Sequence, residues 1–177
     1  MPDDSFVIGH IGRFSEQKNH RLLIDIFLKV CEHRPESHLL LIGHGALRPK
    51  IETVVQDYSL TQNVHFLGNQ KNVEQFLAIM DRFVFPSRWE GLGLVVVEAQ
   101  AAGIHSITST AVPQDAIICN ELVERLPLST SPAEWSRKIV APKTPISKAI
   151  AFEQISKSKF SISNNIKELL SFWGVER

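Results

Sequence analysis

The sequence predicts an α/β fold: a parallel sheet of about six strands flanked by helices, followed by a C-terminal helical tail. Three observations lead there. Short apolar runs alternate with stretches of helical periodicity along most of the chain, the order that gives a parallel sheet wrapped by helices. Leu39-Leu40-Leu41-Ile42 is unbroken, apolar on both faces as central parallel strands are. Strand-like runs close on Gly12, Gly43 and Gly68, where a chain leaves a strand for a loop.

The elements follow in order. Phe6 to Ile11 is a first strand. A helix spans Asn19 to His33, with Leu22, Leu23, Ile26, Phe27, Val30 and Cys31 recurring at three-to-four spacing, and so forming one buried stripe. Pro35 follows it. Ser37 to Gly43 is the second strand, and Ala46 to Tyr58 a helix in which Pro49 is tolerable only in the opening turn. Val64 to Gly68 is a strand, Asn72 to Ile79 a short helix, and Arg82 to Phe85 a strand ended by Pro86-Ser87. Leu94 to Ala102 is helical, with Gly103 placed to end it. His105 to Ser109 is a fifth strand, and a sixth lies near Leu122 to Leu126. Ser131-Pro132-Ala133-Glu134 opens a helix with Ser at the N-cap, Pro at N1 and Glu at N3. Beyond Pro142 the texture changes: Ser147 to Lys159 is polar, and Ser161 to Trp173 is a terminal helix carrying Ile166, Leu169, Leu170 and Trp173. Residues 1–159 are thus expected as one unit, with 160–177 as a helix appended to it.

Composition narrows the class. At 177 residues, with 44% hydrophobic and 21% charged side chains, the chain suits one globular domain. It is long enough to bury roughly 70% of its unfolded surface without disulfide or metal. Nineteen basic and 19 acidic residues sum to zero, which argues against strong sequence-wide attraction to nucleic acid or anionic lipid. The longest apolar run, Gly91 to Val97, is far short of the ~20 residues that span a bilayer. The acidic start Met1-Pro2-Asp3-Asp4-Ser5 shows no signal-peptide pattern. Cys31 and Cys119 lack CxxC spacing and fit free thiols in a reducing cytoplasm.

No GxSxG, HExxH or Walker A loop is present. The seven histidines form no convincing metal-ligand spacing; His10, His44, His65 and His105 sit at or beside strand ends, where structural histidines are common. Gly43-His44-Gly45 lacks the third glycine of a dinucleotide turn. Two segments stand out instead. In Gly9 to Asn19, glycines flank a strand end, and Arg13 and Lys18 follow in a loop before a helix. Two cations at the carboxyl end of a parallel strand suit a phosphate or diphosphate; ordinary solvated charges are the other reading. In Phe83 to Glu98 a buried strand, a glycine loop and a helix start follow one another, and free N–H groups at a helix start bind anions. Glu90 precedes that helix. Glu98 lies about a turn inside it, where a carboxylate among Leu94, Val95, Val96, Val97 and Ala99 must face a crevice, be paired or point to solvent.

Glu90 and Glu98, with seven residues between them that include Gly91 and Gly93, resemble the EX7E motif of retaining family-4 glycosyltransferases. Gly12-Arg13-Phe14 and Lys18-Asn19 resemble the diphosphate loop of the same family, in the same order. The likeness is close over Phe6 to Ser109, looser beyond, and nearest to capsular or exopolysaccharide-synthesis enzymes. It implies the C-terminal, donor-binding half of a GT-B fold, a Rossmann-like domain, with Ser161 to Trp173 similar to the helix that crosses to the N-terminal acceptor half.

By that resemblance Gly12, Arg13 and Lys18 would hold the donor diphosphate. Gly91, Leu92, Gly93 and Leu94 would offer backbone N–H groups, Glu90 would bind sugar hydroxyls, and Glu98 the ribose. The base would sit near Asn69 and Val73. Arg13, Lys18 and Glu90 carry the catalytic roles, the cations opposing charge on the departing nucleotide. The implied substrate is a nucleotide-diphosphate sugar, UDP favoured over GDP, passing a hexose to a glycan or lipid-linked acceptor. No metal or further cofactor and no nucleic acid is implied. The expected location is cytoplasmic, with membrane contact only through the other half. Val112-Pro113-Gln114-Asp115 departs from the glycine-rich, glutamate-bearing loop of many relatives, so no donor contact is carried over there. A non-catalytic nucleotide-binding module and an epimerase-like enzyme of this architecture are the competing readings.

Overall fold

The structure, a computed structural model, describes residues 5–173. Residues 1–4, and with them most of the acidic start, lie outside that range, as does the side chain of Leu169. Six strands, β1 (Phe6–Ile11), β2 (Ser37–Ile42), β3 (Val64–Gly68), β4 (Arg82–Phe85), β5 (His105–Ser109) and β6 (Val123–Leu126), form one sheet in the order β3-β2-β1-β4-β5-β6. Every neighbouring pair is parallel. The helices are α1 (His20–His33), α2 (Arg48–Asp57), α3 (Val73–Leu77), α4 (Leu94–Ala101), α5 (Pro132–Val140), α6 (Lys148–Ser156) and α7 (Ile162–Phe172).

Helices on both faces explain why the central strands are apolar throughout. Side chains of a strand alternate between faces, and the core divides accordingly. Phe6, Ile8, Leu39, Leu41 and Val84 pack with α1, α2 and α5, including Trp135 and Ile139. Val7, Leu40, Ile42, Phe83 and Phe85 pack on the other face with Leu77, Val96, Val97 and Ala99. Each such buried side chain contributes about 1.5–3 kcal/mol. In α1 the predicted stripe is buried at Leu23, Ile26, Phe27 and Val30, while Leu22 and Cys31 are partly covered.

Local signals operate as the sequence predicts. Ser131 caps α5, its hydroxyl accepting the Glu134 N–H at 3.2 Å. Pro49 lies in the first turn of α2, and Gly103 takes a left-handed φ of 74° just past α4. The polar stretch 147–159 differs from expectation by holding a regular helix, α6. Its one buried residue, Ala151, packs on Cys119 and Leu122. So small a buried face leaves almost no periodic signal. The segment between β5 and β6 is a loop with 3-10 turns at Gln114–Ala116 and Asn120–Leu122.

The strand order fixes where a site can form. From β1 the chain runs outward through β2 and β3, then returns to β4 on the other side of β1. The crossovers after β1 and β4 therefore leave in opposite directions, which puts the switch point of the sheet, where ligands of such sheets bind, at the carboxyl ends of these two strands.

Candidate functional site

The loop after β1 is anchored before it reaches its charged residues. Gly12 N–H donates to Ile42 O at 2.9 Å, and Phe14 N–H to His44 O at 3.1 Å. Phe14 is buried, stacked on Phe66. This approach requires glycine at 43, where φ is 138° and a Cβ would stand 2.1 Å from Gly12 O. A 3-10 turn at Glu16–Lys18 follows, and Asn19, at a left-handed φ of 54°, opens α1.

The loop after β4 is held by the first loop residue by residue. Asn19 Nδ2 donates to Pro86 O at 3.2 Å. Gln17 O accepts the Arg88 N–H at 2.7 Å, and Gln17 Nε2 donates to Trp89 O at 2.9 Å. Lys18 Nζ donates to Glu90 Oε1 at 2.6 Å, with the two side chains 15% and 6% exposed. The Lys18 ammonium also stands 4.6 Å from the centre of the Phe85 ring, a favourable cation–π distance. The two motifs, 72 residues apart, thus meet at one point.

Gly93, with a left-handed φ of 76°, turns the chain into α4. Val96 N–H bonds back to Gly93 O at 2.8 Å, while the N–H groups before it at the start of α4 have no preceding turn to bond, which favours an anion. Glu98 is exposed and lines a cavity of about 560 Å³ with Lys71, Val73, Glu74, Leu77, Ala101 and Ala102. The wall beside it shields it in part from water and pushes its carboxyl above the usual pKa.

Not every expected residue converges equally. Arg13 is exposed on the loop after β1 and forms no ion pair among the described residues. Gly91, Leu92 and Leu94 are exposed on the glycine loop. Asn69 is exposed after β3 and lies outside the lining of the cavity that holds Val73 and Glu98. Glu90 and Lys18 were expected to face a ligand; in the structure they face each other.

Three residues outside the motif pattern, Gln17, His10 and His20, also build the site, and Asn19 takes a part in it that its motif does not announce. Gln17 and Asn19 join the two loops, which no spacing rule announces. Beneath Lys18 lie His10 and His20, both buried, with ring centres 4.7 Å apart. His10 Nδ1 donates to Val84 O at 2.9 Å, since the carbonyl can only accept. Burial is the main cause that lowers the His10 pKa to about 4 and the His20 pKa to about 2. Both are therefore neutral and leave Lys18 as the cation of that corner.

This geometry has a counterpart among known proteins. Residues 1–140 match the family described as glycosyl transferases group 1. The chain belongs to that family. Its relatives include the Bacillus subtilis protein EpsF, whose name places it among glycosyltransferases, 32% identical over 97% of this chain and 45% of its own length. An Escherichia coli UDP-Gal:alpha-D-GlcNAc-diphosphoundecaprenol alpha-1,3-galactosyltransferase is 31% identical over 67% of this chain and 31% of its own. In fold, the chain resembles the solved C-terminal domain of the group 1 protein LpcC from Francisella tularensis, at a TM-score of 0.66 and 19% identity. That match covers 94% of this chain and 85% of that domain. The sheet and its helices are the Rossmann-like half of a GT-B glycosyltransferase, and the chain spans less than half the length of the two curated relatives.

Proposed function

We propose that this chain is the donor-binding half of a retaining hexosyltransferase that takes a nucleotide-diphosphate sugar, UDP-linked rather than GDP-linked. The observation that carries the reading is the meeting of Lys18 and Glu90 at the β1/β4 crevice, beside the N-terminus of α4 and a cavity holding Val73 and Glu98. The diphosphate lies on the α4 N–H groups with Arg13 and Lys18 against it. Fixed cations and helix N–H groups oppose charge on the departing nucleotide, which is the electrostatic part of the catalysis. Glu98 accepts from the ribose hydroxyls, as a carboxylate can, and the base enters the cavity near Val73. Glu90 accepts from the sugar once Lys18 is shared with phosphate. The UDP-Gal in the galactosyltransferase's name supports the choice of nucleotide.

Acceptor binding belongs to a second half, which a glycan or lipid-linked acceptor would enter. In the segment 160–177, the described helix α7 fits an element that crosses to it: Ile162, Phe172 and the following Trp173 are 77%, 85% and 75% exposed. Cys31 and Cys119 are free thiols, which suits a cytoplasmic location. No helix among the described residues is long and apolar enough to cross a membrane, and membrane contact is assigned to the other half.

Calorimetric titration of UDP, GDP, ADP and NAD into the chain tests the reading. Heat from UDP with weaker or no binding of NAD supports it. Silence from every nucleoside diphosphate at millimolar concentration rules it out.

A further inference from the structure

The segment between β5 and β6, where the sequence departs from the loop of the family it resembles, is tied to the rest of the molecule by several side-chain hydrogen bonds. Ser109, the last residue of β5, reaches the start of the glycine loop: its Oγ donates to Ser87 O at 2.5 Å, and both serines are fully buried. Three residues on, buried Val112 abuts the end of the same loop, its Cγ1 3.6 Å from where a Gly93 side chain would begin. The segment therefore touches the glycine loop at both ends.

Two side chains fix this segment in turn. Gln100, fully buried in α4, uses its whole amide. Its Nε2 donates to Val96 O at 3.0 Å and Ala116 O at 2.7 Å. Its Oε1 accepts the N–H groups of Ile118 and Cys119, each at 2.9 Å. Arg125 of β6 donates to Thr110 O at 2.8 Å, Val112 O at 2.6 Å and Gln114 Oε1 at 2.7 Å. A buried amide so placed holds one backbone arrangement, because any shift leaves polar groups unpaired away from water.

We propose that Ser109–Cys119 is a brace for the glycine loop, with Ser109 and Gln100 as positioning residues that set Ser87–Leu94 in its ligand-binding geometry. This rests on the donor-site reading above for its consequence in binding, though not for its structural content. The brace stands on the side of the loop away from Gln17 and Asn19, so the loop is clamped from both sides.

Ser109→Ala and Gln100→Leu are the variants, compared with the unaltered chain. Amide hydrogen exchange is read without ligand, and UDP and uridine affinities are read by calorimetry. Exchange of the Arg88–Val95 amides is expected to quicken about tenfold in Ser109→Ala, the effect of losing one buried hydrogen bond, while amides of β2 keep their rates. UDP affinity is expected to fall about tenfold with uridine affinity held, because of the two parts of UDP the loop meets the diphosphate and not the nucleoside. Uniform quickening across the sheet, or equal losses for UDP and uridine, reduces both residues to general stability and overturns the brace. Should UDP fail to bind the unaltered chain, the donor-site reading fails, and the exchange data alone decide the brace.

Discussion

Lys18 Nζ lies 2.6 Å from Glu90 Oε1, and both side chains are largely withdrawn from water. Each has the other as its counter-charge, in a crevice proposed to receive a ligand of its own. Removing one partner strands the other. We predict that Lys18→Met and Glu90→Gln each destabilise the chain by about 1–3 kcal/mol, while the double variant recovers much of the loss. Urea unfolding at neutral pH measures all three. Losses that simply add would show that the two side chains are not coupled.

The neutral histidines beneath that pair make stability depend on pH. Their folded pKa values, about 4 for His10 and about 2 for His20, lie below the 6.5 of an exposed histidine. The unfolded chain then binds protons that the folded chain refuses, so stability is present above pH 6.5 and drains as pH falls below it. Each histidine adds a slope of up to about 1.4 kcal/mol per pH unit. His20 stacks on Phe14 at 4.0 Å, so His20→Phe keeps a ring there without a titrating group. Between pH 6.5 and 5.5 the unaltered chain should lose about 1 kcal/mol more than this variant. Parallel pH profiles would show that His20 is not held neutral.

Two glycines with positive φ should respond differently to alanine. At Gly43 a Cβ would meet Gly12 O at 2.1 Å, whereas at Gly68, with φ 67°, nothing lies within 4 Å. Gly68→Ala carries only the left-handed penalty of about 1–2 kcal/mol. Gly43→Ala adds a collision with backbone that cannot move without shifting Lys18, and should cost about 3 kcal/mol or more. Thermal unfolding would then show roughly 2–4 °C lost per kcal/mol, with Gly43→Ala clearly the worse. Equal midpoints would contradict the close approach of the two loops.

The cap of α5 offers a smaller and independent check. Ser131 Oγ accepts the Glu134 N–H, so Ser131→Ala should cost about 1 kcal/mol. Nucleotide binding should be unaffected, because α5 lies against α1 on the face opposite α4. A change in UDP affinity in this variant would point to coupling that the packing does not contain.

Much of this was legible in residue order because the physics behind it is local. Leu39-Leu40-Leu41-Ile42 announces a two-faced strand, Ser131-Pro132 a helix start, and Gly103 a helix end. The motifs placed Arg13, Lys18 and Glu90 in loops after strands and Glu98 in the helix that follows, and the sheet order sets β1 beside β4. What sequence did not show is which charges meet: spacing within a motif says nothing about a partner 72 residues away. Gln17 and Gln100 were silent for the same reason, and so was the bond of Asn19 to Pro86, since a polar side chain bonded to a distant backbone leaves no pattern. α6 was missed because a helix with one buried residue has no stripe to detect.

The central claim is that Arg13 and Lys18 face a diphosphate, and one comparison tests it most directly. UDP and uridine are titrated into the unaltered chain, Arg13→Ala and Lys18→Ala, with folding of each variant verified by thermal unfolding. UDP should bind the unaltered chain more tightly than uridine. Each substitution should then weaken UDP by about tenfold, on the scale of one charge-assisted hydrogen bond, and leave uridine nearly unchanged. Equal losses for UDP and uridine, or none for either, would contradict it.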